Sequence, residues 1–140
     1  MVCVSNKDCI FCKIINKEIS SKILFENENC IAFLDISPIS KGHTIVIPKN
    51  HSTTIEDISE DDLVAVFKVV KDIASHIHKR LNIEGYNILQ NNFKSAGQVI
   101  EHFHVHIIPR NQDDNRFKLK IPRKQVNEKE LDKTLKELKI

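Results

Sequence analysis

The stretch EHFHVHIIPR, residues 101–110, carries three of the chain's seven histidines at alternate positions. Successive side chains of a β-strand point to opposite faces, so we expect His102, His104 and His106 to share one face. The apolar residues between them predict an opposite face that packs against a helix or a core. Neutral imidazole is a nucleophile, a general acid or base and a metal ligand near neutral pH. The strand therefore predicts a chemical site on its histidine face, which is exposed or lines a cleft.

The composition is that of a globular chain of 140 residues, long enough for one domain with its own core. Its 21 basic and 19 acidic residues give a formal net charge of +2, which gives no reason to expect a nucleic-acid or membrane partner. The longest apolar runs are far too short to span a bilayer, and the N-terminal MVCVSNKDCIFCKI is too polar for a signal peptide. We therefore expect one cytoplasmic domain, residues 1–140.

Two of the four cysteines, Cys9 and Cys12, have CxxC spacing. In a cytosolic chain this spacing indicates a metal clip or a redox pair. A redox pair is typical of a thioredoxin-like setting with a βαβ pattern, and no such pattern follows here. Cys3 and Cys30 have no partner by spacing. The metal clip is therefore the favoured interpretation.

Hydrophobic periodicity in the first third of the chain predicts one helix and three strands. KDCIFCKIINKEI has apolar residues at helical spacing, with Asp8 as its N-cap. KILFENENCIAFLDI predicts a hairpin that turns near residues 27–29. HTIVIPKNH predicts a third strand that is closed by Pro48, which cannot donate to a central ladder.

The remainder predicts a long helix, two more strands and a C-terminal helix. From Ser59, SEDDLVAVFKVVKDIASHIHKRLN has an apolar stripe of period 3.6 behind a serine cap and an acidic first turn. YNILQNN and HFHVHIIP predict strands, with FKSAGQ as the loop between them. After a basic, irregular tail over residues 110–125, NEKELDKTLKELKI predicts a polar helix with leucines on one side. This order predicts an α+β fold with an antiparallel sheet and helices on a face.

The motif HFHVHII, followed by Pro109 and Arg110, resembles the signature of the histidine triad (HIT) family of nucleotide hydrolases and transferases. CIFCKIINKEI, CIAFLDISPISKGHTIVIPKNH and NNFKSAGQVIEHFHVHIIPR also resemble the family's segments, in the family's order, over a core of residues 8–110. The resemblance is closest to the Hint-like branch of the bacterial type with CxxC. It implies a five-stranded antiparallel sheet with two main helices, a homodimer with a ten-stranded sheet, and residues 111–140 as a C-terminal extension.

The resemblance also implies a reaction at the α-phosphate of a purine nucleoside phosphoramidate or a related adenylate. His104 matches the family's nucleophile, which forms a covalent nucleotidyl-histidine that water then hydrolyses. His106 matches the histidine that bonds phosphate oxygens or the leaving group, and His43 matches the family's fourth active-site histidine. Splitting one displacement into two through a covalent intermediate is a general way to lower its barrier.

The implied nucleotide site draws on three groups of residues. An apolar pocket surrounds the purine, a carboxylate receives the ribose hydroxyls, and amide and backbone donors bind phosphate. The residues that match the purine pocket are Ile10, Phe11, Ile14, Phe33 and Ile36. Asp35 matches the ribose carboxylate, and the phosphate donors match Asn91, Gly97 and Gln98. Hint-type members commonly carry a serine or threonine after the glutamine, whereas this chain has Val99, so a hydroxyl thought to help the leaving group is missing.

The resemblance further implies a structural zinc site. Zinc in structural sites takes four ligands, commonly two or more cysteines together with histidines. Cys9 and Cys12 provide two, and in the bacterial-type proteins the other two match His51 and the first triad residue, His102. In this arrangement His102 binds the metal, while His104 and His106 act in the reaction.

Three alternatives remain open from the sequence. One is a dinucleoside polyphosphate hydrolase within the same family. Another is a metallohydrolase in which His102, His104 and His106 together hold a catalytic zinc ion. The third is a nucleotide-binding scaffold protein with little turnover.

Overall fold

The computed structural model describes residues 5–114 and 123–140, in three α-helices, five strands and a short 3₁₀ turn. Cys3 and much of the predicted basic tail lie outside the described residues. In chain order the elements are α1 (Ile10–Ile15), β1 (Ile23–Glu26), β2 (Cys30–Leu34), β3 (Thr44–Pro48), α2 (Glu60–Leu81), β4 (Gly85–Leu89), the 3₁₀ turn (Lys94–Ala96), β5 (Val105–Arg110) and α3 (Glu128–Leu138).

The strands form one sheet in the order β1-β2-β3-β5-β4, with every neighbouring pair antiparallel. The predicted antiparallel α+β fold is therefore confirmed. The triad strand β5 lies inside the sheet, where His106 is opposite Ile45 of β3 and Leu89 of β4. A residue of an inner strand is held on both sides by ladders, which makes this a rigid place for a functional side chain.

Two apolar clusters cover the two faces of the sheet. On one face, α2 packs its apolar stripe against Val46, Val105 and Ile107 of the central strands. On the other face, α1 packs against a cluster that includes Ile45. His106 is directly opposite Ile45 and therefore shares the face of α1.

Helix α2 begins as the sequence predicts, because the Ser59 side chain accepts a hydrogen bond from the backbone N–H of Asp62 at 3.1 Å. Helix α1 differs from its prediction. Its N-cap is Cys9 and not Asp8, and Cys9 makes no side-chain capping bond. The backbone N–H of Asp8 instead donates to the Asn6 side chain at 3.0 Å, in a turn that precedes the helix.

The fifth strand also differs from its prediction, since regular pairing begins at Val105 and leaves His102 outside the ladder. The partner strand β3 ends at Pro48, which has no N–H to donate. The backbone N–H of Phe103 instead donates to Ser52 O at 2.6 Å. The backbone between the first two triad histidines is therefore held by the segment after β3 and not by a sheet ladder.

The C-terminal helix α3 is amphipathic, as predicted, with Leu131, Leu135 and Leu138 along one side, all exposed. Its Asn127 cap accepts from the backbone N–H of Glu130 at 2.9 Å. Within the part of the chain that the structure describes, no helix has the length and apolar character that crossing a membrane requires.

Candidate active site and metal cluster

Three histidine rings meet on the α1 face of the sheet. The ring of His106 lies 4.9 Å from that of His104 and 5.1 Å from that of His43, measured between ring centroids. His43 directly precedes β3, so its position follows from the β3–β5 pairing. His43 and His104 are buried and His106 is half-buried. Of the two expectations, an exposed histidine face or one that lines a cleft, the burial of these rings excludes the first, because α1 covers this face.

The predicted alternation continues through residues 102–105 even though this segment precedes the regular strand. Phe103 and Val105 are buried in the cluster under α2. The rings of His102 and His104 face the other way, where Phe11 of α1 contacts them edge-on at centroid distances of 5.8 and 5.3 Å. An edge-on contact presents the positive edge of one ring to the face of the other. Phe11 thus fixes both imidazoles from the same side.

Hydrogen bonding determines which nitrogen of His104 carries its proton. Nδ1 lies 2.6 Å from the carbonyl oxygen of His102. A carbonyl only accepts, so Nδ1 is the protonated nitrogen of the neutral ring. The lone pair then belongs to Nε2, which is the atom that can attack an electrophile.

A second chain of hydrogen bonds fixes the tautomers of His43 and His106. The backbone N–H of Ile39 donates to His43 Nδ1 at 3.1 Å, so His43 carries its proton on Nε2. That N–H donates to His106 Nδ1 at 2.9 Å, with a carboxylate oxygen of Asp35 at 3.6 Å. His106 therefore has its own proton on Nε2, which it can donate to a bound group.

Burial keeps these rings neutral. It lowers the pKa of His104 and of His43 below the ordinary value, while the Asp35 carboxylate opposes the shift in both. Burial, together with the neighbouring His104 and His43, lowers the pKa of His106 to about 4. At neutral pH the site is therefore a set of uncharged imidazoles, the form in which a ring nitrogen attacks.

The residues predicted to surround a purine divide into buried and exposed members. Phe11, Ile14 and Phe33 are buried, and Phe11 meets Phe33 edge-on at 5.5 Å. Ile10 is partly exposed and Ile36 is 91% exposed, so these two form a rim and not a closed wall.

Asp35 lies at the edge of this apolar surface. One carboxylate oxygen accepts the backbone N–H of Ser37 at 2.8 Å, and the other faces His43. With one short hydrogen bond from the described residues, this carboxylate keeps further lone pairs for donors such as ribose hydroxyls.

The predicted phosphate loop differs from expectation in how its donors are used. The backbone N–H groups of Ala96, Gly97 and Gln98 all donate within the loop, at 3.0–3.2 Å, because the segment closes as a 3₁₀ turn. The amide of Gln98 is also engaged with backbone atoms. Gly97 has φ +90° and lies against the amide nitrogen of Asn91, 3.8 Å from where a Cβ would be. The side-chain amide of Asn91 therefore lies beside the loop that the sequence predicts to bind phosphate.

Four predicted metal ligands, Cys9, Cys12, His51 and His102, converge with their donor atoms within 4.8 Å of one another. The two Nδ1 atoms are 3.3 Å apart, and Cys12 Sγ lies 3.4 Å from His51 Nδ1 and 3.6 Å from His102 Nδ1. A tetrahedral zinc ion would hold such nitrogens about 3.4 Å apart and a nitrogen and a sulfur about 3.6 Å apart. The cluster can therefore hold a metal ion, and its donors fit zinc.

The ring of His102 is oriented for this role by its other nitrogen. Nε2 donates to the carbonyl of Pro48 at 2.9 Å, which leaves Nδ1 unprotonated toward the cysteines. His102 thus faces the metal cluster with its ring and holds His104 with its backbone carbonyl.

Sequence patterns did not predict the atoms that set the tautomers, namely the Ile39 N–H and the carbonyls of Pro48 and His102. Every residue has these backbone groups, so no residue type identifies them. Phe93 was also missed. It has φ +66° and ψ 158°, a conformation that is almost restricted to glycine, and no sequence signal marks a phenylalanine for it.

Comparison with protein families and curated proteins gives concordant matches. A family model described as the HIT domain matches residues 16–113. An uncharacterized HIT-like protein of Methanocaldococcus jannaschii is 44% identical over 131 residues, which cover 94% of this chain and 98% of that protein. An adenosine 5′-monophosphoramidase of Saccharomyces cerevisiae is 38% identical over 130 residues, 93% of this chain and 80% of that protein.

Solved structures agree with these matches. A HIT family protein from Bacillus anthracis is 38% identical and superposes with a TM-score of 0.88 over 96% of each chain. A zinc-bound histidine triad family protein from Mycobacterium smegmatis is 32% identical, with a TM-score of 0.75 over 83% of this chain and 84% of that one.

Proposed function

The chain belongs to the HIT family, and from that premise we propose that it is an enzyme that hydrolyses purine nucleoside phosphoramidates or related adenylates. The name of the yeast relative, an adenosine 5′-monophosphoramidase, supports nucleotide hydrolysis of this type. The observation that carries the proposal is the 2.6 Å hydrogen bond from His104 Nδ1 to the His102 carbonyl. It leaves the lone pair of a buried, neutral ring on Nε2 for attack.

In the first step, His104 Nε2 attacks the α-phosphorus and the bond from phosphorus to the leaving nitrogen breaks. The ring gains positive charge, and the carbonyl of His102 continues to accept from Nδ1–H. His106 offers its Nε2–H as a hydrogen bond to a phosphate oxygen or to the leaving group, while His43 holds the other nitrogen of His106. The leaving nitrogen departs as the neutral amine, with a proton taken from the solvent. In the second step, water attacks the same phosphorus and gives up a proton to the solvent as the bond to His104 breaks, which releases the nucleoside monophosphate and restores neutral His104.

We assign the nucleotide contacts according to the positions of the remaining residues. The purine lies against the apolar surface around Phe11, the ribose hydroxyls donate to Asp35, and the α-phosphate meets the loop that contains Gly97 and the amide of Asn91. The full set comprises Ile10, Phe11, Ile14, Phe33, Asp35, Ile36, Asn91, Gly97 and Gln98.

We assign structural zinc to Cys9, Cys12, His51 and His102, a set that the donor distances and the zinc-bound mycobacterial homologue support. Two thiolates neutralise a divalent ion, which favours a closed structural site over an open Lewis acid. In this role zinc, when bound, joins α1 to the segment that precedes β5. We also propose a cytoplasmic homodimer.

The positions of the rings argue against the metallohydrolase alternative. His102 belongs to the cysteine cluster, whereas His106 groups with Asp35 and His43. His43 has its proton on Nε2, the nitrogen that faces this second group, so it serves there as a hydrogen-bond donor and not as a ligand. His104 lies in neither group of candidate ligands among the described residues.

The test is to trap the intermediate. The enzyme is mixed with adenosine 5′-phosphoramidate, quenched at neutral or acidic pH, and its intact mass is measured. We expect one attached AMP that survives the neutral quench and is lost in acid. His104→Ala should abolish the adduct and reduce turnover by at least about 10³-fold, the scale of losing a nucleophile.

His76→Ala, which changes an exposed histidine of α2, is the matched control and should turn over normally. Competition between adenosine 5′-phosphoramidate and diadenosine polyphosphates shows which substrate the enzyme prefers. It thereby distinguishes the proposed activity from dinucleoside polyphosphate hydrolysis. Repeated turnover without an adduct would refute the covalent mechanism, and tight AMP binding without turnover would favour the scaffold alternative.

A further inference from the structure

A groove of about 650 Å³ lies beside the phosphate loop. Its walls include Thr53, Phe93, Gln98 and Val99. Thr53 follows Ser52, whose carbonyl accepts the N–H of Phe103, the residue between His102 and His104. One wall of the groove therefore belongs to the segment that hydrogen-bonds the backbone between His102 and His104.

Phe93 on the wall of this groove has a backbone conformation that costs free energy. Its φ of +66° and ψ of 158° lie in a region that is essentially limited to glycine. Phe93 is nevertheless 56% exposed, so core packing does not explain why a phenylalanine is held there. Strained residues persist only where the surroundings over-determine them, and they cluster at sites that touch ligands.

Gln98 supplies the restraint on Phe93. Its side-chain oxygen accepts the N–H of Phe93 at 2.8 Å, and its backbone N–H donates to the Phe93 carbonyl at 3.2 Å. The side-chain nitrogen of Gln98 donates to Thr53 O at 2.7 Å and to Ile100 O at 3.2 Å. Gln98 is only 6% exposed. It thus holds both polar backbone atoms of Phe93 and attaches them to the segment beside the nucleophile.

Phe93 and Val99 make one part of the groove apolar, beside Lys94 and Glu101, which also line it. Val99 is 85% exposed on the same groove, at the position where a hydroxyl would have offered a hydrogen bond. An exposed phenyl ring and an exposed isopropyl group favour an apolar substituent over a small polar one.

We propose that Phe93 and Val99 form a subsite for the leaving group, that Phe93 selects amines with aryl or alkyl substituents, and that Gln98 is its positioning residue. The inference rests on the proposed function, since it assumes attack by His104 on a nucleoside phosphoramidate. It adds that the leaving amine, and not only the nucleotide, is recognised.

The first test compares adenosine 5′-phosphoramidate, whose leaving group is ammonia, with its N-benzyl derivative. Both substrates give the same AMP-enzyme, so the second step is common to them. Phe93→Ala should lower kcat/KM for the N-benzyl substrate about tenfold and change that for the unsubstituted one by less than about twofold. The rate of AMP release from the adduct should not change. Leu24→Ala, which truncates an exposed apolar side chain on β1, should affect neither substrate.

Gln98→Glu keeps the shape of the side chain and removes both N–H donors. Because Gln98 is also one of the proposed nucleotide contacts, this change should lower kcat/KM for both substrates. The loss should be several-fold larger for the N-benzyl substrate, because Phe93 is then no longer fixed. The strain has its own readout, independent of activity. Phe93→Gly should unfold about 4 °C or more above Phe93→Ala, since glycine adopts φ +66° without penalty.

The outcomes separate this proposal from the proposed function. If the wild-type enzyme forms no adduct with either substrate, the catalytic assignment to His104 fails. If it forms the adduct but Phe93→Ala impairs both substrates equally, or neither, the subsite is refuted while the function stands. Equal melting temperatures for Phe93→Gly and Phe93→Ala would show that the backbone of residue 93 is not strained.

Discussion

Backbone atoms decide what the histidine rings of this site can do. The carbonyl of His102 assigns the proton of His104 to Nδ1, and the N–H of Ile39 assigns that of His43 to Nε2. Each assignment determines the next bond, so His106 receives a hydrogen bond on Nδ1 and offers one from Nε2. Rings of the same residue type thus acquire opposite roles, one with a free lone pair and one with a free donor.

These assignments predict a specific ¹⁵N spectrum of the histidine rings. At pH 7, long-range ¹H–¹⁵N correlation should show His104 as the Nδ1–H tautomer and both His43 and His106 as Nε2–H tautomers. Single-histidine variants assign the signals. A mixture of tautomers at His104 would contradict the fixed nucleophile.

The lowered pKa of His106 predicts a loss of stability in acid. An unfolded histidine protonates below about pH 6.5, whereas His106 in the folded chain does so only at about 4. The unfolded state therefore binds more protons between these values, and stability falls as the pH decreases from about 6.5 toward 4. Thermal unfolding at pH 7, 6 and 5 should show a smaller decrease in Tm for His106→Asn than for the wild type. Parallel decreases would show that His106 does not titrate in this way.

Asp35 predicts discrimination between sugars. Asp35→Asn retains the size of the side chain but replaces an acceptor-only group with one that is half donor. Calorimetric titration should show several-fold weaker binding of AMP and little change for 2′-deoxy-AMP, because the deoxynucleotide already lacks one donor. Equal weakening of both would assign Asp35 to the histidine network, through His43, and not to the ribose.

At the level of elements, the sequence predicts the features that depend on the local pattern of apolar and polar residues. The period-3.6 stripe and serine cap predicted α2, and alternation predicted the two faces of the triad segment. The start of β5 was not predictable from its own residues, because Pro48 on another strand ends the ladder. Gln98 was predicted as a phosphate ligand, and its use as a loop brace depends on Thr53, 45 residues away.

The metal cluster joins α1, which belongs to no ladder, to the ends of the paired strands β3 and β5. Cys12 lies on α1, His51 follows β3 and His102 precedes β5. Cys12→Ala should lower the zinc content, measured by elemental analysis, and lower Tm in circular dichroism, because metal binding contributes to folding free energy. Cys30→Ala is the matched control. It removes a buried thiol outside the cluster and should lose stability while retaining the metal. Unchanged metal content in Cys12→Ala would refute the assigned ligands.

At the scale of the whole molecule, the sheet has two open edges, β1 and β4, and both expose apolar side chains. The edge at β4 continues onto the α2 face, where Phe67, Tyr86 and Ile88 are all partly exposed. Ile88 is opposite Ile107, which packs under α2, so its side chain projects on the side of that helix. An apolar patch that spans a helix and an edge strand is typical of a surface covered by a partner.

The β4 edge therefore predicts the homodimer with a ten-stranded sheet. Ile88→Glu would bury a charge beside its symmetry mate in such an interface, and we expect a monomer by light scattering, with a lower Tm. Leu24→Glu on the opposite edge strand changes an equally exposed apolar residue and should leave the dimer intact. If Leu24→Glu and not Ile88→Glu dissociates the protein, β1 forms the interface, and the patch around Phe67 remains to be explained by another partner. A wild-type protein that is monomeric at micromolar concentration would refute the dimer. The site would then have to function within a single subunit, and its described residues do all come from one chain.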